Sequence, residues 1–300
     1  MDVIFISNVG VGMEICVIFI SHRVEFLEDF EREAMKYNTI VLEEPPNSKL
    51  FEYFSGKIPK EDYMESLDTS FPHYTSLYLD LLKKLYAQGK RILQIEPYLE
   101  KLNEIYELIE RGIVGGDKVV RETENKVTKA LIEYQEAFME KNFDVLVEKT
   151  IEYTKVDAEK FRIRDEMRAE KIAETVKSNP DKVLIEAGQI HVLLPALLKK
   201  EGFKVSVKSI PNEVARKLGY VWIFNPGSEL TIRYMMGESV EDERLVAARA
   251  LVYISMISKE EMLPSKDERY PHLVDEIKVV NFVNRLDYNG CRRLFERIWH

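Results

Sequence analysis

Short β-branched runs alternate with amphipathic stretches through the first two-thirds of the chain. Residues 15–20 read as a buried strand, and 24–37 follow with Phe26, Leu27, Phe30 and Ala34 at helical spacing. Residues 39–42 predict a second strand, stopped by Pro45-Pro46. Leu77, Leu81, Leu82 and Leu85 make an apolar helical stripe closed by Gly89. Residues 91–95 predict a third strand, and 98–111 a helix ended by Gly112. A fourth strand falls at 182–185, a helix at 190–199 and a fifth strand at 203–207. Strands separated by helices imply an α/β fold with a mostly parallel central sheet and flanking helices.

Residues 117–178 carry almost no turn residues, and their apolar positions recur every three or four. They predict a long helical insertion of two or three helices, with a break near Val156-Asp157. The α/β domain then spans 13–210. After Pro211 the pattern changes: 220–224 suggest one more strand, and 240–258, 273–286 and 289–298 read as helices. No Ser/Gly linker precedes residues 211–300, so this mainly helical extension is expected to pack on the core.

Residues 3–21 are largely apolar, but Asp2, Asn8 and Glu14 interrupt them and Gly10 and Gly12 break them. Neither a basic leader nor a small-residue cleavage site is present, so neither a signal peptide nor a membrane anchor is expected. Met13 directly precedes the first strand, which suggests that residues 1–12 are a mis-assigned start. N-terminal mass spectrometry of the native protein checks this, and an intact Met1 counts against it.

Hydrophobic residues make up 45% of the 300 positions, enough for a sizeable core. Charged residues reach 32%, while Gln occurs only four times, a balance that resembles proteins from hot environments. A net charge of -9 without a dense basic stripe argues against nucleic acid as a partner. Cys16 and Cys291 lie in apolar surroundings without metal-type spacing, which suits buried reduced thiols and a cytoplasmic location. Assembly into a homo-oligomer is left open.

Parallel sheets place ligands at the carboxyl ends of their strands. Two histidines fall there: His22 after the first strand and His191 after the fourth, where Gly188 allows a tight turn and a helix starting near Gln189 puts His191 in its first turn. Glu43 and Glu44 end the second strand, Glu96 ends the third, and Glu186 lies inside the fourth. Imidazoles and carboxylates together form the usual ligand set for zinc, manganese or iron. A glutamate in an apolar run is costly to bury unless paired. The Arg162–Arg168 segment, with Arg164 and Asp165, opens a helix before the fourth strand, and an arginine at the rim would stabilise an oxyanion or bind a carboxylate.

Together these residues resemble the TraB/Tiki superfamily, with its ChaN-like and erythromycin-esterase-like members. Gly188-Gln189-Ile190-His191 fits the second of the family's two G-x-x-H motifs; the first reads Phe19-Ile20-Ser21-His22, with phenylalanine in the glycine place. Glu43-Glu44-Pro45 resembles the acidic segment, and Arg164-Asp165-Glu166-Met167 with Ala169 and Ile172 the arginine helix. The likeness spans roughly residues 14–207. It implies a functionally mixed group: proteases, pheromone-shutdown proteins, a haem-binding protein and a lactone esterase.

The leading expectation is a metal-dependent hydrolase of a peptide, ester or lactone. His22, Glu43 and His191 would hold a divalent ion, Glu44 would be the general base and Arg164 would steady the oxyanion. Glu96, Asp165, Glu186 and Gly188 would touch substrate or brace the ligands. The alternative is a protein that sequesters a small peptide or cofactor in the same crevice, with 117–160 as a lid; the missing glycine motivates it. A metal-free esterase with His22 as base is the third. No G-x-S-x-G elbow, P-loop or dinucleotide fingerprint occurs.

Overall fold

The computed structural model describes residues 14–67, 69–177 and 182–299. The proposed mis-assigned start lies outside them. Five parallel strands, β1 (Glu14–Ile20), β2 (Thr39–Leu42), β3 (Arg91–Gln94), β4 (Val183–Gly188) and β5 (Lys204–Ser209), pair in the order β3-β2-β4-β1-β5. The expected α/β architecture is therefore present. β4 inserts between β1 and β2, so the loop leaving it fills the crevice between their carboxyl ends.

Successive strand residues face opposite sides of a sheet, and both sides are covered. Cys16, Ile18, Ile20, Ile40, Leu42 and Leu184 point to one layer, with α1 (Leu27–Ala34), α2 (Ser48–Phe54), α4 (Pro72–Ala87) and α9 (Ile210–Lys217). A 3-10 turn (Val24–Phe26) precedes α1, and the short α3 (Lys60–Met64) precedes α4. Ile15, Val17, Val41, Val183, Ile185 and Ala187 point to the other layer, formed by α7 (Phe143–Val176) and α8 (Leu194–Lys200). Helix α5 (Pro97–Glu110) follows β3, and its Tyr98, Leu102 and Ile105 pack with Val120 of α6 (Lys118–Glu140).

The long insertion is two helices, α6 and α7, and the break falls elsewhere than expected. Lys141 takes φ 56° and Asn142 caps α7 by accepting from Val145 N at 3.3 Å. The cap falls at Asn142, behind the left-handed Lys141, and α7 runs unbroken through Val156-Asp157 for 34 residues, about 50 Å. Its first half (Leu146, Val147, Ile151) packs on the C-terminal helices α10 (Pro226–Met235), α11 (Glu243–Met256), α12 (Pro271–Val283) and α13 (Tyr288–Trp299). Its second half (Ala169, Ile172, Ala173, Val176) covers the sheet. α12 also places Leu273 and Ile277 in the cluster that holds Cys16, Ile18 and Ile20 of β1.

Residues 220–224 are not a strand. They have no ladder partners: Val221 is 79% exposed, while Trp222 rests on the core. Alternating burial reports which face of an extended segment is covered, not whether its backbone is paired. No helix among the described residues is long and apolar enough to cross a membrane. Cys16 and Cys291 are buried and unpaired.

Candidate functional site

All the expected residues gather at the carboxyl edge of the sheet, but they divide into two groups. Glu43 and Glu44 follow β2 and obey its alternation. Glu43 bonds Arg164 of α7 and Glu44 bonds Gln94 of β3, while both carboxylates border the cavity on the α4 side. The histidines divide with them.

On the α7 side lies a closed charge network. Residue 191 sits in the turn before α8 rather than in a helix, because the helix begins only at Leu194, with Pro195 in its first turn. His191 N donates to Gly188 O at 3.1 Å, and this turn drives the ring inward until it is 1% exposed. Its Nδ1 bonds Asp165 Oδ1, and its Nε2 is 2.8 Å from Glu43 Oε1. Asp165 also accepts from Leu193 N at 3.2 Å. Arg164, expected to face substrate, instead bridges Glu43 Oε1 at 3.2 Å and Glu96 Oε1 at 3.3 Å. Arg168, one helical turn later and fully buried, donates to Glu186 O at 2.6 Å and Ile95 O at 3.1 Å. Its Nη1 lies 3.5 Å from Glu43 Oε2, and its Nε 3.8 Å from Glu96 Oε2. Gly188 N donates to Glu43 Oε2 at 2.6 Å. Three carboxylates (Glu43, Glu96, Asp165) thus balance three cations (Arg164, Arg168, His191).

Burial pulls the His191 imidazole down, but the charge of Glu43 and the bonds to Asp165 and Glu43 outweigh it and push it up to about 9. Burial likewise opposes ionisation of Glu43, yet His191, Arg168 and Arg164 hold it well below the usual carboxylate range. The imidazolium contributes its full stabilisation below the ordinary histidine value of 6.5 and loses it as pH rises through about 9. Urea midpoints should therefore fall between pH 6.5 and 9.5, and His191→Gln should flatten that dependence; a wild-type midpoint unchanged over the range refutes the imidazolium.

Gly188 was expected to be needed for a tight turn. Its φ is not in the left-handed region, and an added Cβ would meet Glu43 Oε2 at 3.5 Å and His191 Cδ2 at 3.8 Å, ordinary contacts. Gly188→Ala should change unfolding free energy by less than about 1 kcal/mol. A larger loss in a urea titration would mean that the loop has no room for a methyl group.

On the α4 side is a cavity of about 480 Å³, within the usual range for small-ligand sites. Its walls include His22, Glu44, Glu186, Tyr63, Phe71, Tyr74 and Tyr78. Pro72 starts α4, and Tyr74 and Tyr78, four residues apart, share its inward face. Their rings stack at 5.3 Å and 15°. Tyr78 Oη bonds Glu186 Oε2, and His22 Nε2 is 3.5 Å from Glu186 Oε1. The His22 ring lies 5.6 Å from that of Tyr74, whose buried hydroxyl has no hydrogen-bond partner among the described residues. Gln94 Nε2 donates to Glu44 Oε2 at 3.0 Å.

Burial pushes the Glu44 carboxyl up to about 7, Glu186 adds to it, and the Gln94 bond only partly offsets both. Burial lowers the His22 imidazole, but the bond and charge of Glu186 outweigh it, leaving a net rise. His22 still exposes 45% of its side chain, since a residue on a concave wall touches water while protein surrounds it.

The expected metal ligands do not fit a resident divalent ion. His191 commits both ring nitrogens to carboxylates and His22 pairs with Glu186, so the two imidazoles share no hydrogen-bond partner. Among the described residues no three His, Cys, Asp or Glu side chains are placed to hold a metal. Tyr74, Tyr78, Gln94 and Arg168 take places in the site that the sequence alone did not assign to them. An Arg164/Arg168 pair one turn apart and a Tyr74/Tyr78 pair ahead of the leucine stripe were the available signals.

Fold and site together define an α/β protein with an acid–imidazole cavity on one face of its sheet edge and a buried charge network on the other. The chain is 38% identical over 283 residues to an uncharacterized protein of Archaeoglobus fulgidus, an alignment covering 94% of this chain and 98% of the relative, and it belongs to that protein's family. No family model matches the chain, and no solved structure matches it.

Proposed function

We propose that the chain is a hydrolase of the TraB/Tiki type that cleaves a small peptide, ester or lactone in the α4-side cavity, using its own acid–base groups. The carrying observation is Glu44, a carboxyl raised to about 7 in the wall of a cavity that also holds His22. Groups poised near the working pH are effective at moving protons in both directions. Glu44 takes a proton from water as its oxygen attacks the carbonyl carbon. The Tyr74 hydroxyl, without a partner among the described residues, donates to the developing oxyanion. The His22 imidazolium, held charged by Glu186, protonates the leaving group as its bond to carbon breaks.

A screen of peptide anilides, aryl esters and lactones with excess chelator tests this. Turnover should survive the chelator and follow a bell whose limbs belong to the coupled Glu44–His22 pair, the acid limb near pH 7. No turnover in any of the three classes, or activity abolished by the chelator, defeats the reading. Sequestration of a peptide or cofactor is favoured by one observation, the aromatic wall of Tyr63, Phe71, Tyr74 and Tyr78. It requires binding without any turnover.

A further inference from the structure

A second cavity, of about 500 Å³, opens between α6, α7, α10 and α11 and shares no lining residue with the first. Tyr134, Tyr153, Phe161 and Tyr253 supply aromatic surface, and the Tyr134 and Tyr153 rings lie 6.1 Å apart. Among the described residues Asp157 is the single carboxylate in its wall. Most other polar groups there are committed within the protein. The Thr150 and Thr154 hydroxyls donate to Leu146 O and Thr150 O at 2.7 and 2.6 Å, and Thr231 Oγ1 to Gly227 O at 3.2 Å. Asn225 Oδ1 accepts from Ser228 N at 3.0 Å, and Tyr253 Oη donates to Glu276 at 3.2 Å.

Asp157 differs. Among the described residues its carboxylate has neither a hydrogen-bond partner nor an ion pair within 4.0 Å. The cations near it are engaged elsewhere: Lys160 with Glu124 at 3.1 Å, and Arg164 with Glu43 and Glu96. Burial pushes the carboxyl up to about 6, and the charges of Lys160 and Arg164 offset it only in part. A carboxylate among aromatic faces is the chemistry that recognises an organic cation.

We propose that this cavity binds an organic ammonium ion with an apolar body, its nitrogen held by the Asp157 carboxylate and the faces of Tyr134 and Tyr153. The site is independent of the hydrolytic reading. Calorimetric titration of the full chain at pH 8 with 2-phenylethylammonium and with neutral 2-phenylethanol tests it. The ammonium should bind at least about tenfold tighter than the alcohol. Asp157→Asn should erase that preference while leaving alcohol binding in place, which also reports an intact fold. Glu44→Gln, in the other cavity, should keep the preference. No ammonium binding at millimolar concentration, equal binding of the two compounds, a preference that survives Asp157→Asn, or one lost in Glu44→Gln each overturns the proposal.

Discussion

Replacing Arg168 by methionine should lower the unfolding free energy by about 3–5 kcal/mol, the range for breaking a buried ion pair from one side. The side chain is fully buried, so the substitution removes one cation from a balanced set and leaves Glu43 and Glu96 under-compensated. It also strips the Glu186 and Ile95 carbonyls of their side-chain donor. Methionine preserves the volume, so cavity formation contributes little. Urea unfolding monitored by circular dichroism reads the effect. A loss below about 1 kcal/mol, as at an exposed pair, would mean that water enters the site and screens it.

The second large effect concerns chemistry. Glu44→Gln should lower kcat by about 10²–10⁴-fold, the range supplied by a positioned proton-transfer group. Glutamine keeps the shape of glutamate and a hydrogen-bonding partner for Gln94, so the fold and KM should change little. The acid limb of the pH profile should disappear with the titrating group. Equal loss of kcat and unfolding stability would mark Glu44 as structural, and unchanged kcat would remove it from the mechanism.

The scaffold was largely legible because it rests on hydrophobic periodicity. The second strand matches its expected residues 39–42, and the other strands differ only at their ends. Misreadings arose where pattern and hydrogen bonding part company. Residues 220–224 alternate like a strand but have no ladder, and the insertion breaks at a capping asparagine rather than at Val156-Asp157. For the site, the edge was legible and the partition was not. Whether Glu43 and Glu44 meet or diverge depends on how far the pleat of β2 persists past Leu42. Leu77, part of the apolar stripe of α4, is 45% exposed, while Tyr74 and Tyr78 take the inward positions. That choice is set by the helix's rotation against the sheet, which leucine spacing leaves undetermined.

The six-member charge set that includes His191 has a thermal consequence. Hydration of ions grows less favourable on heating, so the cost of keeping these groups dry shrinks as temperature climbs while their mutual attraction persists. Heat should loosen helix ends and surface loops first. The joint among α7, β2 and β4 should be the last part of the chain to open.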